Sequence, residues 1–157
     1  MLNRIKALFD GESDAAAELL SRDDQLQLAA AALLVESAHM DGTFDEDERA
    51  SITSLLSYRF DLSDEESATL IEEADQAVQE TGQLYAFTRM IKDRFDAGER
   101  IEMIEMLWEV AFADGNADHF EQNLIQRVAG LIFVSDRDRG IARKRVMARL
   151  GIEGRGV

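Results

Sequence analysis

The sequence predicts an all-α fold, a bundle of seven or eight helices built on an internal helix–loop–helix repeat with pseudo-twofold symmetry. Three observations carry the prediction. Proline is absent from all 157 residues, apolar residues recur three and four apart without strand-like alternation, and one carboxylate-rich pattern occurs twice at an offset of 73 residues.

A short opening helix is expected near Leu2–Phe9, followed by the weakly structured stretch Asp10–Ser21. Ser21 then reads as the N-cap of a helix running to about Met40, with Leu26, Ala29, Ala30, Leu33, Leu34 and Ala38 on its core side. The next helix starts after Asp45 and reaches about Arg59. Ser63-Asp-Glu-Glu66 has the form of a capping box and opens a helix that ends near Gly82. Leu84–Phe95 is amphipathic, and its stripe of Leu84, Phe87, Met90, Ile91 and Phe95 reads as core. Asp96 and Glu99 open a long apolar helix that contains Trp108, also read as core. A helix from Asp118 to about Ile132 and a last one from Asp136 to about Leu150, capped by Ser135, complete the chain.

Residues 1–150 read as a single domain. Ile152-Glu153-Gly154-Arg155 spells a protease site often built into expression vectors, so 151–157 is treated as a flexible tail.

Composition narrows the function classes. With 46% hydrophobic and 31% charged residues the chain is neither disordered nor a membrane span, and its longest uncharged run, Gln25–Val35, is too short to cross a bilayer. The start, interrupted by Arg4, Lys6 and Asp10, makes no signal-peptide core. The absence of cysteine excludes disulfides and thiolate metal sites, and a cytoplasmic location is expected. A net charge of −15 argues against nucleic acid and favours cations or a basic or membrane-associated protein partner, without direct membrane insertion. The charge is uneven: 133–157 carries seven Lys/Arg against three Asp/Glu. Arg137, Arg139, Arg143, Lys144, Arg145 and Arg149 there form either a solvated face or a surface that docks on the acidic body.

Both copies of the repeat read E-x-A-x-x-D-G-x-x-D-x-x-E, from Glu36 to Glu48 and from Glu109 to Glu121. Capping accounts for part of it. Asp45 with Glu48, and Asp118 with Glu121, have capping-box spacing, and Gly42 and Gly115 suit the left-handed end of a helix. Glu36 and Glu109, one turn before a helix C-terminus, and Asp41 and Asp114 at it, are not explained that way. Each is disfavoured there by about 0.3–1 kcal/mol, so the crowded carboxylates call for a cation or a basic partner. The candidate metal ligands are therefore Asp41, Asp45, Glu48, Asp114, Asp118 and Glu121, joined by Glu36 and Glu109. Oxygen donors without thiolate select a hard divalent cation, Ca²⁺ first, then Mg²⁺ or Mn²⁺. The order of ligands is not that of an EF-hand, because Gly42 directly follows Asp41.

No catalytic constellation emerges. Glu36-Ser-Ala-His39 has the spacing of a di-iron ligand pair, but such sites need it twice and the second copy has Phe112 in place of the histidine. His39 and His119 occupy different repeat positions and read as surface or partly buried residues. There is no Gly-rich phosphate loop and no nucleophile–histidine arrangement. The chain is thus read as a non-enzyme, with a Mg²⁺-dependent hydrolase using paired carboxylates as the most distant alternative.

The repeated A-x-x-D-G-x-x-D-x-x-E, one copy in each half of an all-helical chain, resembles the TerB family of tellurite-resistance proteins and the related N-terminal domain of DjlA-type membrane co-chaperones. The match covers roughly Ser21–Leu150. The resemblance implies that the acidic residues of the two copies lie near each other and bind a divalent cation, which implicates Asp41, Asp45, Glu48, Asp114, Asp118 and Glu121. It also implies a role in tellurite or other chemical stress. DjlA-type proteins add a transmembrane segment and a J domain, whose His-Pro-Asp is not found in a sequence without proline. Chaperone stimulation is therefore not implied, and a protein-interaction module binding a basic partner is the alternative to cation binding. The fold class predicts a far-ultraviolet circular dichroism spectrum dominated by helix, and a spectrum dominated by strand overturns it.

Overall fold

A computed structural model describes residue 5 and residues 21–40, 45–81, 86–113 and 119–151, except for the side chains of 22, 86, 89, 90, 113 and 119–121. All seven helices expected from Ser21 onward are present: α1 Arg22–Met40, α2 Glu46–Phe60, α3 Asp64–Thr81, α4 Ala86–Arg94, α5 Ala97–Ala113, α6 His119–Leu131 and α7 Asp136–Leu150. There is no strand among the described residues. The expected opening helix and the stretch after it lie outside the described residues, save for Ile5, which is helical and buried. No described helix is long and apolar enough to cross a membrane.

The helix starts are set by side-chain caps, which satisfy first-turn N–H groups that have no partner within the helix. Ser21 Oγ accepts from Asp24 N at 3.0 Å, and Ser135 Oγ from Asp138 N at 3.1 Å. Two capping boxes are reciprocal. In one, Glu66 N donates to Ser63 Oγ and Ser63 N to Glu66 Oε1, both at 3.0 Å; in the other, Glu99 N donates to Asp96 Oδ1 at 2.8 Å and Asp96 N to Glu99 Oε1 at 3.0 Å. Where α2 and α6 stop, two residues other than glycine, Asp61 and Phe133, adopt the left-handed conformation, at φ 54° and 60°.

Helix α1 is the centre. Every residue from Leu28 to Val35 is at most 2% exposed, and α2, α3, α4, α5 and α6 all pack against it. Its alanines, Ala29 to Ala32, let neighbours approach on all sides.

The repeat is visible in the element order: at an offset of 73 residues, α1 and α2 correspond to α5 and α6. The correspondence extends one helix further than the motif. α3 packs on α1 and α2, and α7 packs on α5 and α6, so each half is a three-helix unit with α4 as the connector.

The α1–α3 contact is the most extensive in the fold, and Ile71 of α3 is fully buried in the core. Ile71→Ala is expected to cost about 2–5 kcal/mol in urea-induced unfolding, as a cavity left among residues that cannot close it does.

Candidate functional site at the repeat junction

The described parts of the two motif copies meet. A cavity of about 50 Å³ lies where α1, α2, α5 and α6 come together, and repeat-related residues line it in pairs: Leu34 with Leu107, Ala38 with Ala111, Ile52 with Ile125. That pairing is what a twofold relation between the halves requires. Glu48, the last carboxylate of the first copy, also lines it.

Asp45 is the N-cap of α2, and its Oδ1 accepts from Glu48 N at 2.8 Å, as its capping-box spacing predicts. Asp41, Asp114 and Asp118 and the side chain of Glu121 lie outside the described residues, and so does the expectation that the acidic loops approach each other. Among the described residues, no three carboxylate or histidine side chains are grouped to hold a metal ion.

Glu36 and Glu109 take on different work, which corrects the premise that brought them to the cation site. Glu36 is 4% exposed, and its carboxylate caps the N-terminus of α4. It accepts from Phe87 N at 3.4 Å and Thr88 N at 3.1 Å, and from the Thr88 hydroxyl. The positive end of the α4 dipole thereby neutralises a buried charge. Glu109 sits between two arginines, 3.1 Å from Arg59 Nη1 and 2.6 Å from Arg149 Nη2. Burial raises its carboxyl above the ordinary range; Arg59 and Arg149 oppose that without cancelling it, and Glu105 adds to it. The charge at each position is answered from within the protein.

The basic stripe of α7 divides. Arg149 and Arg145 reach buried Glu105 at 2.9 and 3.6 Å, and Arg143 lies over the stacked rings of Trp108 and Phe112 at 5.5 and 5.9 Å. Arg139 pairs with Asp136 of its own helix, while Arg137 and Lys144 face solvent. Docking on the acidic body thus describes half of the stripe. Trp108, Phe87, Ile91 and Phe95 are core, as expected; Leu84 and the Met90 side chain lie outside the described residues.

His39 is partly exposed and donates through Nε2 to Asp75 Oδ1 at 2.7 Å, with Arg49 Nη2 3.2 Å from Asp75 Oδ2. Burial alone would raise the Asp75 carboxyl. Hydrogen bonds from Gln79 and His39, the His39 charge and the Arg49 hydrogen bond outweigh it and hold the group below its ordinary 3.8. No spacing or motif points to Asp75, which is 36 residues from His39.

An all-helical bundle of two three-helix units, meeting at an acidic motif used twice, defines the class of protein. The family model for the tellurite resistance protein TerB matches residues 27–144, and the chain belongs to that family. Searches of curated proteins and of solved structures find no match.

Two outcomes follow from these contacts. Glu36→Ala is expected to cost about 1–3 kcal/mol, because it strands the N–H groups of α4 in a buried site; hydrogen exchange at Phe87 and Thr88 should accelerate. Because the Asp75 carboxyl is lowered in the fold, its contribution to stability is complete above pH 3.8 and is lost as pH falls through the folded value. The stability gap between wild type and Asp75→Asn should therefore narrow as pH falls below about 4, as read by denaturant unfolding across pH.

Proposed function

We propose that the chain is a non-catalytic domain that binds a divalent cation, Ca²⁺ first and Mg²⁺ or Mn²⁺ next, through Asp41, Asp45 and Glu48 of one motif copy and Asp114, Asp118 and Glu121 of the other. The observation that carries this reading is the convergence of both copies on one cavity, lined by Ala38, Ala111 and Glu48, all motif positions. Membership of the TerB family supports a setting in tellurite or other chemical stress, in the cytoplasm. Glu36 and Glu109 hold the surrounding helices and are left out of the ligand set.

A second reading is favoured by the Asp45 cap and by the internal neutralisation of Glu36 and Glu109: the acidic loops are an architectural device and a surface for a basic protein partner. Thermal melting separates the two. An ion that binds only the folded state adds about 2.7 kcal/mol when its free concentration is a hundredfold above the dissociation constant, which is several degrees in Tm for a domain of this size. Wild type should gain this with millimolar Ca²⁺ over chelator at matched ionic strength, and Asp41→Asn with Asp114→Asn should abolish the gain. A Tm indifferent to Ca²⁺, Mg²⁺ and Mn²⁺ overturns the cation reading and leaves the second.

A further inference from the structure

The third helices of the two halves hold equivalent places and carry opposite charge. Both start from a capping serine, Ser63 for α3 and Ser135 for α7, and both bury one face in the bundle. α3 has seven Asp/Glu and no Lys or Arg, whereas α7 has six Lys/Arg and two Asp. The contrast is sharpest on the faces turned to solvent. The second and ninth residues of α3 are Glu65 and Glu72, and those of α7 are Arg137 and Lys144. All four are exposed, and the members of each pair stand two helical turns apart, about 10 Å, on one face.

Other charges on these helices serve packing: Asp75 of α3 is held by His39 and Arg49, and Arg145 and Arg149 of α7 reach Glu105. The side chains of Glu65, Glu72, Arg137 and Lys144 make no hydrogen bond or ion pair with a described residue. Apolar exposure marks the same region. Of the four large hydrophobic side chains exposed among the described residues, Phe133 lies just before α7, and Ile141 and Leu150 lie on it. Ile141 sits between Arg137 and Lys144, and the matching place on α3 is held by exposed Thr69. A basic helix face with an apolar centre suits an acidic partner. An anionic membrane repels the rest of the chain, whose net charge is −15 even with α7 included. α3 of another copy matches the face position by position, whichever way the two helices run. Both faces look outward, so they meet only between molecules.

We propose that the chain associates head to tail, the α7 face of Arg137, Ile141 and Lys144 in one copy seated on the α3 face of Glu65, Thr69 and Glu72 in the next. The contact is heterologous, so each copy offers one face of each kind and the series extends or closes into a ring. One helix against one helix buries less than the roughly 1,200 Å² of a stable interface, so the association is weak and depends on charge. It does not depend on a divalent cation at the acidic loops.

The test is sedimentation equilibrium of the full chain in chelator, at concentrations up to about 1 mM. At about 0.1 M salt a Debye length of about 10 Å screens the repulsion between whole molecules but not the pairs at the contact. The weight-average mass of wild type should there rise with concentration above 17.6 kDa, and it should return to that value at about 1 M salt, where the length is about 3 Å. Arg137→Glu with Lys144→Glu puts acids at all four sites, and Glu65→Lys with Glu72→Lys puts bases at all four. Each double variant should self-associate about tenfold more weakly or less, because like charges then face each other. An equimolar mixture of the two should associate again, since the intact α3 face of the first takes the intact α7 face of the second. Rescue on mixing separates a lost contact from a damaged fold. Should a reversal unfold the chain, Arg137→Gln with Lys144→Gln and Glu65→Gln with Glu72→Gln carry the same comparison. Monomer mass at both salts overturns the proposal, whether or not wild type then binds phosphatidylglycerol vesicles or polyglutamate. Association untouched by the substitutions, or not restored on mixing, overturns it as well.

Discussion

Burying one helix on every side is the condition from which the rest of this structure follows. Between Leu28 and Val35, α1 has no solvent face, so five other helices must enclose it, and any polar group it carries into that enclosure must be answered there. It carries two in succession. The Glu36 carboxylate is met by the first N–H groups of α4, which fixes where the connector between the halves begins. The Ser37 hydroxyl is met by nothing described, and it opens on the space between the two motif copies. The central helix therefore dictates both the join and the cavity.

Electrostatics organises the second half differently. Glu105 and Glu109 on α5 are largely buried, and arginines from α2 and α7 converge on them. Breaking one partner of such a cluster leaves an uncompensated charge in a poorly solvated place, so its members hold α7 in position more through the penalty of separation than through net attraction. The acidic surplus of the chain is thereby reduced where the helices pack and left at the surface elsewhere.

Local features were legible in the sequence because their causes are local. Ser21, Asp45, Ser63, Asp96 and Ser135 cap from three residues away, and each is visible as a capping residue type at that spacing. What could not be read lies at long separation. The use of Glu36 depends on Thr88, 52 residues on, and that of Glu109 on Arg59, 50 residues back. Both glutamates therefore looked unneutralised. Ser37 gave no signal, since a serine among alanines has the same spacing whether or not its hydroxyl finds a partner. The kinship of α3 and α7 was hidden because their sequences keep the packing role without keeping the residues.

Joining two like units in one chain has a consequence that an assembly of identical copies cannot share. In a symmetric dimer any residue on the contact face appears twice, so a hydroxyl, a cap or an arginine bridge is duplicated or absent. Here α4 makes the pairing intramolecular, and each half is free to change alone. Ser37 has Val110 as its repeat counterpart, and a glutamate that caps a helix has as its counterpart one clasped by arginines. The seam between the halves can therefore be specialised on one side without the other following.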